Sequence, residues 1–298
     1  MMPTDVFFRS CMFLLLLLGG LLIFLFGSSY FNIFPTNKSK IYKISLPIAF
    51  LTLSLFLFRR DPSANYWRVS YAFCVASSAN LLSTLCGAWL LRLLKLPDNT
   101  IKGLALAKLS EALVVIATII VLFVMAGIDI SSIYLQIGNL PLGLAIGLIS
   151  FSLFATIALL QFKSFNLGLN TLVSLLPWIL TFVFSNAFME ELWFRGIFLN
   201  KFEPILGAVA SLFLTSIVFT GAHIGATYLS WPERVRFLVI LFPLALAWGF
   251  TMQTTGSLIG STLFHAGGDL LIINGFIAAF HGKNFKPLGG GADVVILP

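Results

Sequence analysis

Long apolar stretches alternate with short polar ones along the whole chain, and this punctuation predicts nine candidate helices. They run from Cys11 to Gly27, Ile44 to Phe58, Val69 to Leu91, Leu104 to Gly127, Leu140 to Leu160, Leu172 to Asn200, Ile205 to Leu229, Val235 to Gln253 and Ser257 to Phe280. Most approach the roughly 20 apolar residues that cross a ~30 Å hydrocarbon core. The second is short and interrupted by Pro47, so the expected fold is an all-α polytopic transmembrane helix bundle with eight or nine spans. The runs are continuously apolar rather than alternating, which excludes an outer-membrane barrel. The first run has no clear small-x-small cleavage site and is expected to remain as a span rather than leave as a signal peptide.

Composition sharpens this picture. Of 298 residues 59% are hydrophobic and only 10% charged, against roughly a quarter charged in a soluble domain, so a sizeable soluble domain and a disordered chain are both excluded. The net charge of +7 is assigned to basic loops kept on the cytoplasmic side, not to nucleic-acid binding. With nine spans, Lys38, Lys40, Lys43, Arg92, Lys95 and further basic residues fall on one side. That side is expected to be cytoplasmic, with the N-terminus outside and the C-terminus inside. Three cysteines, Cys11, Cys74 and Cys86, show no metal or disulfide spacing and read as small hydrophobes.

Against so apolar a background, ionisable residues at membrane depth stand out, because each costs at least ~2.5 kcal/mol on insertion scales and marks a functional site by default. They concentrate in the last spans: Glu190, Glu191 and Arg195, then His223, then His265 and Asp269. Glu191 and Arg195 are four apart, on one helical face and in the order that favours an ion pair. Glu190 points about 100° away and is left as the free carboxylate. His265 and Asp269 share a face, as do Phe219 and His223, whose ring packing fixes the imidazole. Lys108 and Glu111 read as an interfacial i,i+3 pair, and His281 as interfacial. Taking the turn between the sixth and seventh spans at Glu203-Pro204, a rise of ~1.5 Å per residue puts Glu190, His223, His265 and Asp269 within a turn or two of a common depth. A shielded carboxylate facing two imidazoles suits the activation of water by Glu190; the same four side chains equally suit zinc.

Three motifs in this order, Glu190-Glu191-x-x-x-Arg195, Phe219-x-x-x-His223 and His265-x-x-x-Asp269, resemble the signature of the CAAX-protease and bacteriocin-processing family (CPBP, also called ABI) of intramembrane endopeptidases. The resemblance covers roughly Leu172 to Phe280. It implies a protease acting on a membrane-associated protein or peptide, with membrane lipids as surroundings. Glu190 resembles the general base, assisted by His223; His265 and Asp269 fall at the oxyanion-stabilising pair; Glu191 and Arg195 match structural positions. It implies either no cofactor or Zn2+, the family having been described both as metalloproteases and as glutamate proteases. One departure is that prenyl-protein-processing members carry Asn where this chain has Asp269. An ionised Asp cannot donate to an oxyanion, so Asp269 must be protonated, orient His265 or bind a metal. This favours a prokaryotic branch, and the short loops agree with a bacterial inner membrane. The expected division is 1–171 as N-terminal transmembrane helices, 172–280 as the protease core and 281–298 as a C-terminal tail. An ion-coupled transporter predicts inverted repeats, which the sequence does not display. A non-catalytic immunity or partner protein on the same scaffold predicts loss of a motif residue, and none is missing.

Overall fold

In lipid a chain satisfies its backbone hydrogen bonds within helices or within a closed barrel, and this chain takes the first course. The computed structural model describes residues 3–27, 36–164, 168–225 and 230–281, and among them there is no strand. The helices are α1 (Pro3–Phe24), α2 (Thr36–Arg60), α3 (Tyr66–Cys86), α4 (Trp89–Leu94), α5 (Ile101–Met125), α6 (Leu140–Ser164), α7 (Leu169–Glu190), α8 (Leu199–Leu206), α9 (Ala208–Ala222), α10 (Trp231–Thr255) and α11 (Leu258–His281). Eight segments among the described residues are long and apolar enough to cross a membrane, so the protein is a multi-pass integral membrane protein. The expected ninth span, α11, is not among them, although at 24 residues it is long enough. Its apolar run is diluted by His265, Asp269 and Asn274, which are buried in the bundle.

Local signals explain where several helices begin and end. Thr100 caps α5 by accepting the Gly103 N–H at 3.0 Å. At the start of α10 the Glu233 carboxylate accepts both the backbone N–H (3.0 Å) and the hydroxyl (2.6 Å) of Ser230, and Gly256, at φ +66°, ends that helix. Between α5 and α6, Asp129 caps a short 3-10 turn. Its carboxylate accepts the Ser131 hydroxyl at 2.6 Å and backbone N–H at 2.9 Å, which hold the acid below the usual carboxylate range.

Three boundaries differ from expectation. Pro47 does not break the second span, because α2 is a continuous 25-residue helix through it; in a membrane bundle a missing N–H is tolerated where neighbours close over the gap. The turn before α9 falls at Gly207, whose φ of +87° only glycine adopts freely, and not at Glu203-Pro204, which lie inside α8. The third span is split, α3 ending at Cys86 and α4 ending where Lys95 takes a left-handed conformation (φ +51°). The expected C-terminal tail beyond His281 lies outside the described residues, as does the side chain of His281.

Apolar side chains cover the outside as well as the inside: Ile149, Val173, Val239 and Phe250 are exposed on the outer surface, where lipid rather than water receives them. Inside, two apolar clusters form. One joins α1, α3, α5, α9 and α10 around Phe24, Phe73, Phe123 and Trp248. The other joins α5, α6, α7 and α11 around Phe182, Val183 and Ile273. The most extensive helix pairing is α6 against α11, and glycine makes it possible. A Cβ on Gly260 would lie 2.7 Å from the Gly143 carbonyl oxygen and 2.8 Å from its Cα, so the two backbones touch directly. Gly260→Ala is therefore expected to destabilise the protein by about 1–3 kcal/mol. Gly275→Ala, whose Cβ would meet nothing within 4 Å, serves as the control, and thermal unfolding in detergent reads both.

Candidate active site

The end of α7 is where the two clusters meet. Glu190 is the last residue of α7, and Glu191 to Gly196 continue as one π turn, marked by the Ile197 N–H donating to the Leu192 carbonyl five residues back at 3.1 Å. Such wide turns are frequent at functional sites. Here the turn leaves two consecutive carboxylates buried, on opposite nitrogens of one imidazole. Glu191 Oε1 accepts from His265 Nδ1 at 2.8 Å, while Glu190 Oε2 lies 3.6 Å from His265 Nε2.

Glu191 is fully buried and saturated. Besides His265 it accepts from Arg195 Nη1 at 2.6 Å, and its other oxygen accepts from the Ser261 hydroxyl. The Arg195 guanidinium is also fully buried and packs 4.3 Å from the Phe219 ring centre and 5.5 Å from that of Trp248. These ring faces attract the cation where its Nε and Nη2 have no hydrogen-bond partner. Trp248 also stacks on His265, ring centres 3.8 Å apart and planes 7° from parallel, with Phe219 edge-on to the same imidazole at 5.8 Å. His265 is thereby fixed both in its plane and in its tautomer: an ionised Glu191 can only accept, so Nδ1 carries the hydrogen and Nε2 faces the acids.

Asp269 Oδ1 lies 3.6 Å from the same Nε2, and its Oδ2 accepts from Asn186 Nδ2 at 3.0 Å. His223 sits at the end of α9, its Nδ1 donating to the Phe219 carbonyl at 2.8 Å and its ring 4.5 Å from that of Phe219. A carbonyl only accepts, so the neutral ring turns the lone pair of Nε2 toward Glu190 Oε2, 4.0 Å away. All seven motif residues thus assemble in one cluster about His265, His223 half-buried and the other six buried.

The sequence reading missed several members of the cluster. Asn186 is four residues before Glu190, and Ser261 four before His265, so a polar residue one turn away was the available signal. Trp248 gave no signal, being one of six tryptophans in an apolar chain. Lys108 and Glu111 are paired at 2.9 Å as expected from spacing, but they are not interfacial. Both are buried, and Ser83 of α3 donates to the second carboxylate oxygen at 3.0 Å. Proximity to the start of a hydrophobic run cannot tell a pair that faces the headgroups from one turned into the bundle.

For the zinc alternative the donor atoms left over are what count. Both histidines have Nδ1 committed, leaving one nitrogen each. Among the described residues no group of three or more His, Cys, Asp and Glu side chains is arranged to hold a metal ion.

An all-α multi-pass membrane protein with an acid and histidine cluster gathered at the C-terminal end of α7 is the class that fold and site define. Within it, residues 172–271 match the family described as Type II CAAX prenyl endopeptidase Rce1-like. The match falls on the segment that carries all three motifs and agrees with the family their spacing resembles. At family level this supports protease activity on membrane-associated protein. No curated protein and no solved structure matches the chain.

Proposed function

We propose that the chain is an intramembrane endopeptidase of the glutamate type, in a bacterial inner membrane, that hydrolyses peptide bonds of membrane-associated proteins or peptides. The observation that carries this reading is the convergence of Glu190 Oε2 on Nε2 of both histidines, at 3.6 and 4.0 Å. A separation of 4.0 Å is too long for a direct hydrogen bond and short enough for one water to bond both groups. Glu190 removes a proton from that water while His223 orients it, and the hydroxide attacks the substrate carbonyl carbon. Glu190 then passes the proton to the departing amine.

The developing oxyanion requires donors. His265 Nε2 faces two carboxylates, and lone pairs alone in that triangle repel, so a proton resides among the three atoms. The Asn186 bond makes Oδ2 of Asp269 an acceptor. A protonated Asp269 therefore carries its hydrogen on Oδ1, beside His265 Nε2, and that shared proton is the donor the pair presents. This answers the substitution of Asp for Asn: the proton supplies what the amide supplies in relatives. Residues 172–280 form the core in this reading, with 1–171 packed against it.

The test is cleavage of a membrane-tethered peptide by the purified protein in proteoliposomes, followed by mass spectrometry, with and without a strong zinc chelator. Two fragments joined at one peptide bond, at an unchanged rate with chelator, are the expected result. Chelator inhibition reversed by zinc overturns the glutamate mechanism, and intact peptide across a panel of tethered sequences overturns the protease.

A further inference from the structure

Lys108 and Glu111 form an ionic pair inside the bundle that the proposed mechanism does not use and that lies outside the matched segment. A buried pair of this kind is expensive to hold, and a well-packed apolar pair often serves stability as well. Its position suggests why it is there. α5 packs along α7 and touches the π turn. Leu109 and Ala112 of α5, each next to a member of the pair, line a cavity of about 350 Å³ with Ser185 and Phe188 of α7 and Thr262 of α11. Ser185 adjoins Asn186, Phe188 precedes Glu190 by two residues, and Thr262 precedes His265 by less than one turn. The cavity is thus lined both by sequence neighbours of the pair and by sequence neighbours of the site residues. With α5 packed on α7 and the π turn, the Lys108 charge is near enough to interact with Glu190, Asp269 and His223.

A charge inventory gives this contact a purpose. Glu191 is neutralised by Arg195. Glu190 and Asp269 remain, two acids converging on one imidazole nitrogen, and neither is hydrogen-bonded to Arg195. The charged and titratable groups that interact with Lys108 are Glu111 on its own helix, Glu190 from α7, His223 from the end of α9 and Asp269 from α11, with the Ser83 hydroxyl from α3 completing the clamp on Glu111.

We propose that Lys108 is a positioning residue of the same site: clamped by Glu111 and Ser83, it holds a fixed positive charge beside Glu190 and Asp269 and so favours the ionised base over a site with two neutral acids. The upstream helices then supply part of the chemistry and not only a scaffold. This inference rests on the protease reading, and its test separates the two.

Lys108→Met alone strands Glu111 and lowers yield, so the decisive variant is Lys108→Met/Glu111→Met, which removes both charges together. It is expected to lower kcat about tenfold or more with KM within about twofold, and to move the acid limb of the kcat profile to higher pH. Lys108→Arg is expected to regain most of the rate. In parallel, carbon-13 labelling of the ring Cε1 atoms resolves the chain's three histidines by NMR in detergent, and the double variant is expected to displace the His223 titration whether or not the protein is cleaving substrate. Proteolysis that depends on Glu190 but shows an unchanged pH profile and unchanged histidine titration in the double variant overturns the role of Lys108 alone. Displaced histidine titration in a protein with no Glu190-dependent cleavage leaves the charge coupling standing and overturns the protease reading.

Discussion

Glu190→Gln is expected to abolish proteolysis, lowering kcat by about 10²–10⁴-fold, while the protein extracts and unfolds as the wild type does. The substitution keeps the shape of the side chain and removes its ability to take a proton. Nothing in the support of the fold depends on that charge. Arg195 bonds Glu191 at 2.6 Å, and Asp269 is held by Asn186 at 3.0 Å, so both keep their partners. His223 retains its bond to the Phe219 carbonyl. Cleavage assays in proteoliposomes, beside a thermal melt of the same preparation, check both halves, and substantial cleavage by the variant removes Glu190 from the role of base.

Arg195→Ala is expected to act in the opposite way, through stability first. It leaves the Glu191 carboxylate with no cation at zero exposure and removes the guanidinium packed against Phe219 and Trp248. Breaking one side of a buried pair costs about 3–5 kcal/mol, a large part of the 5–15 kcal/mol that holds a typical domain together. Activity falls as a consequence, because Glu191 also fixes His265 through Nδ1. Arg195→Met combined with Glu191→Gln recovers part of the loss, since no charge is then left unpaired. Thermal unfolding midpoints of the single and double variants measure this. A normal melt in Arg195→Ala with selective loss of activity contradicts the supporting role.

The sequence announced the cluster because charged and histidine residues are rare in so apolar a chain, and because four-residue spacing places Glu191 with Arg195 and His265 with Asp269 on shared helical faces. It could not announce the π turn at Glu191–Gly196, since a hydrophobic pattern that is apolar on every side has no phase in which an extra residue would show. For the same reason Pro47 looked like a break. Trp248 was hidden by its own chemistry: an indole in a membrane helix is as much at home facing lipid or headgroups as stacked on His265, and only the packing of α10 decides. The inward turn of Lys108 and Glu111 depends on Ser83, 28 residues away from Glu111, a contact that no local spacing encodes.

The glycine contact between α6 and α11 makes the two flanks of α11 unlike. With 100° per residue, Gly260, Leu263 and Gly267 fall on one side of α11, and all three meet α6: Leu263 at Gly147, and Gly267 at the Phe151 backbone. Thr262 points to the far side, into the cavity shared with α5 and α7. One flank of α11 is thus a welded seam and the other a vestibule. The α6 flank leaves no gap between backbones, whereas the opposite flank opens on a cavity walled by Leu109, Leu113 and Phe184.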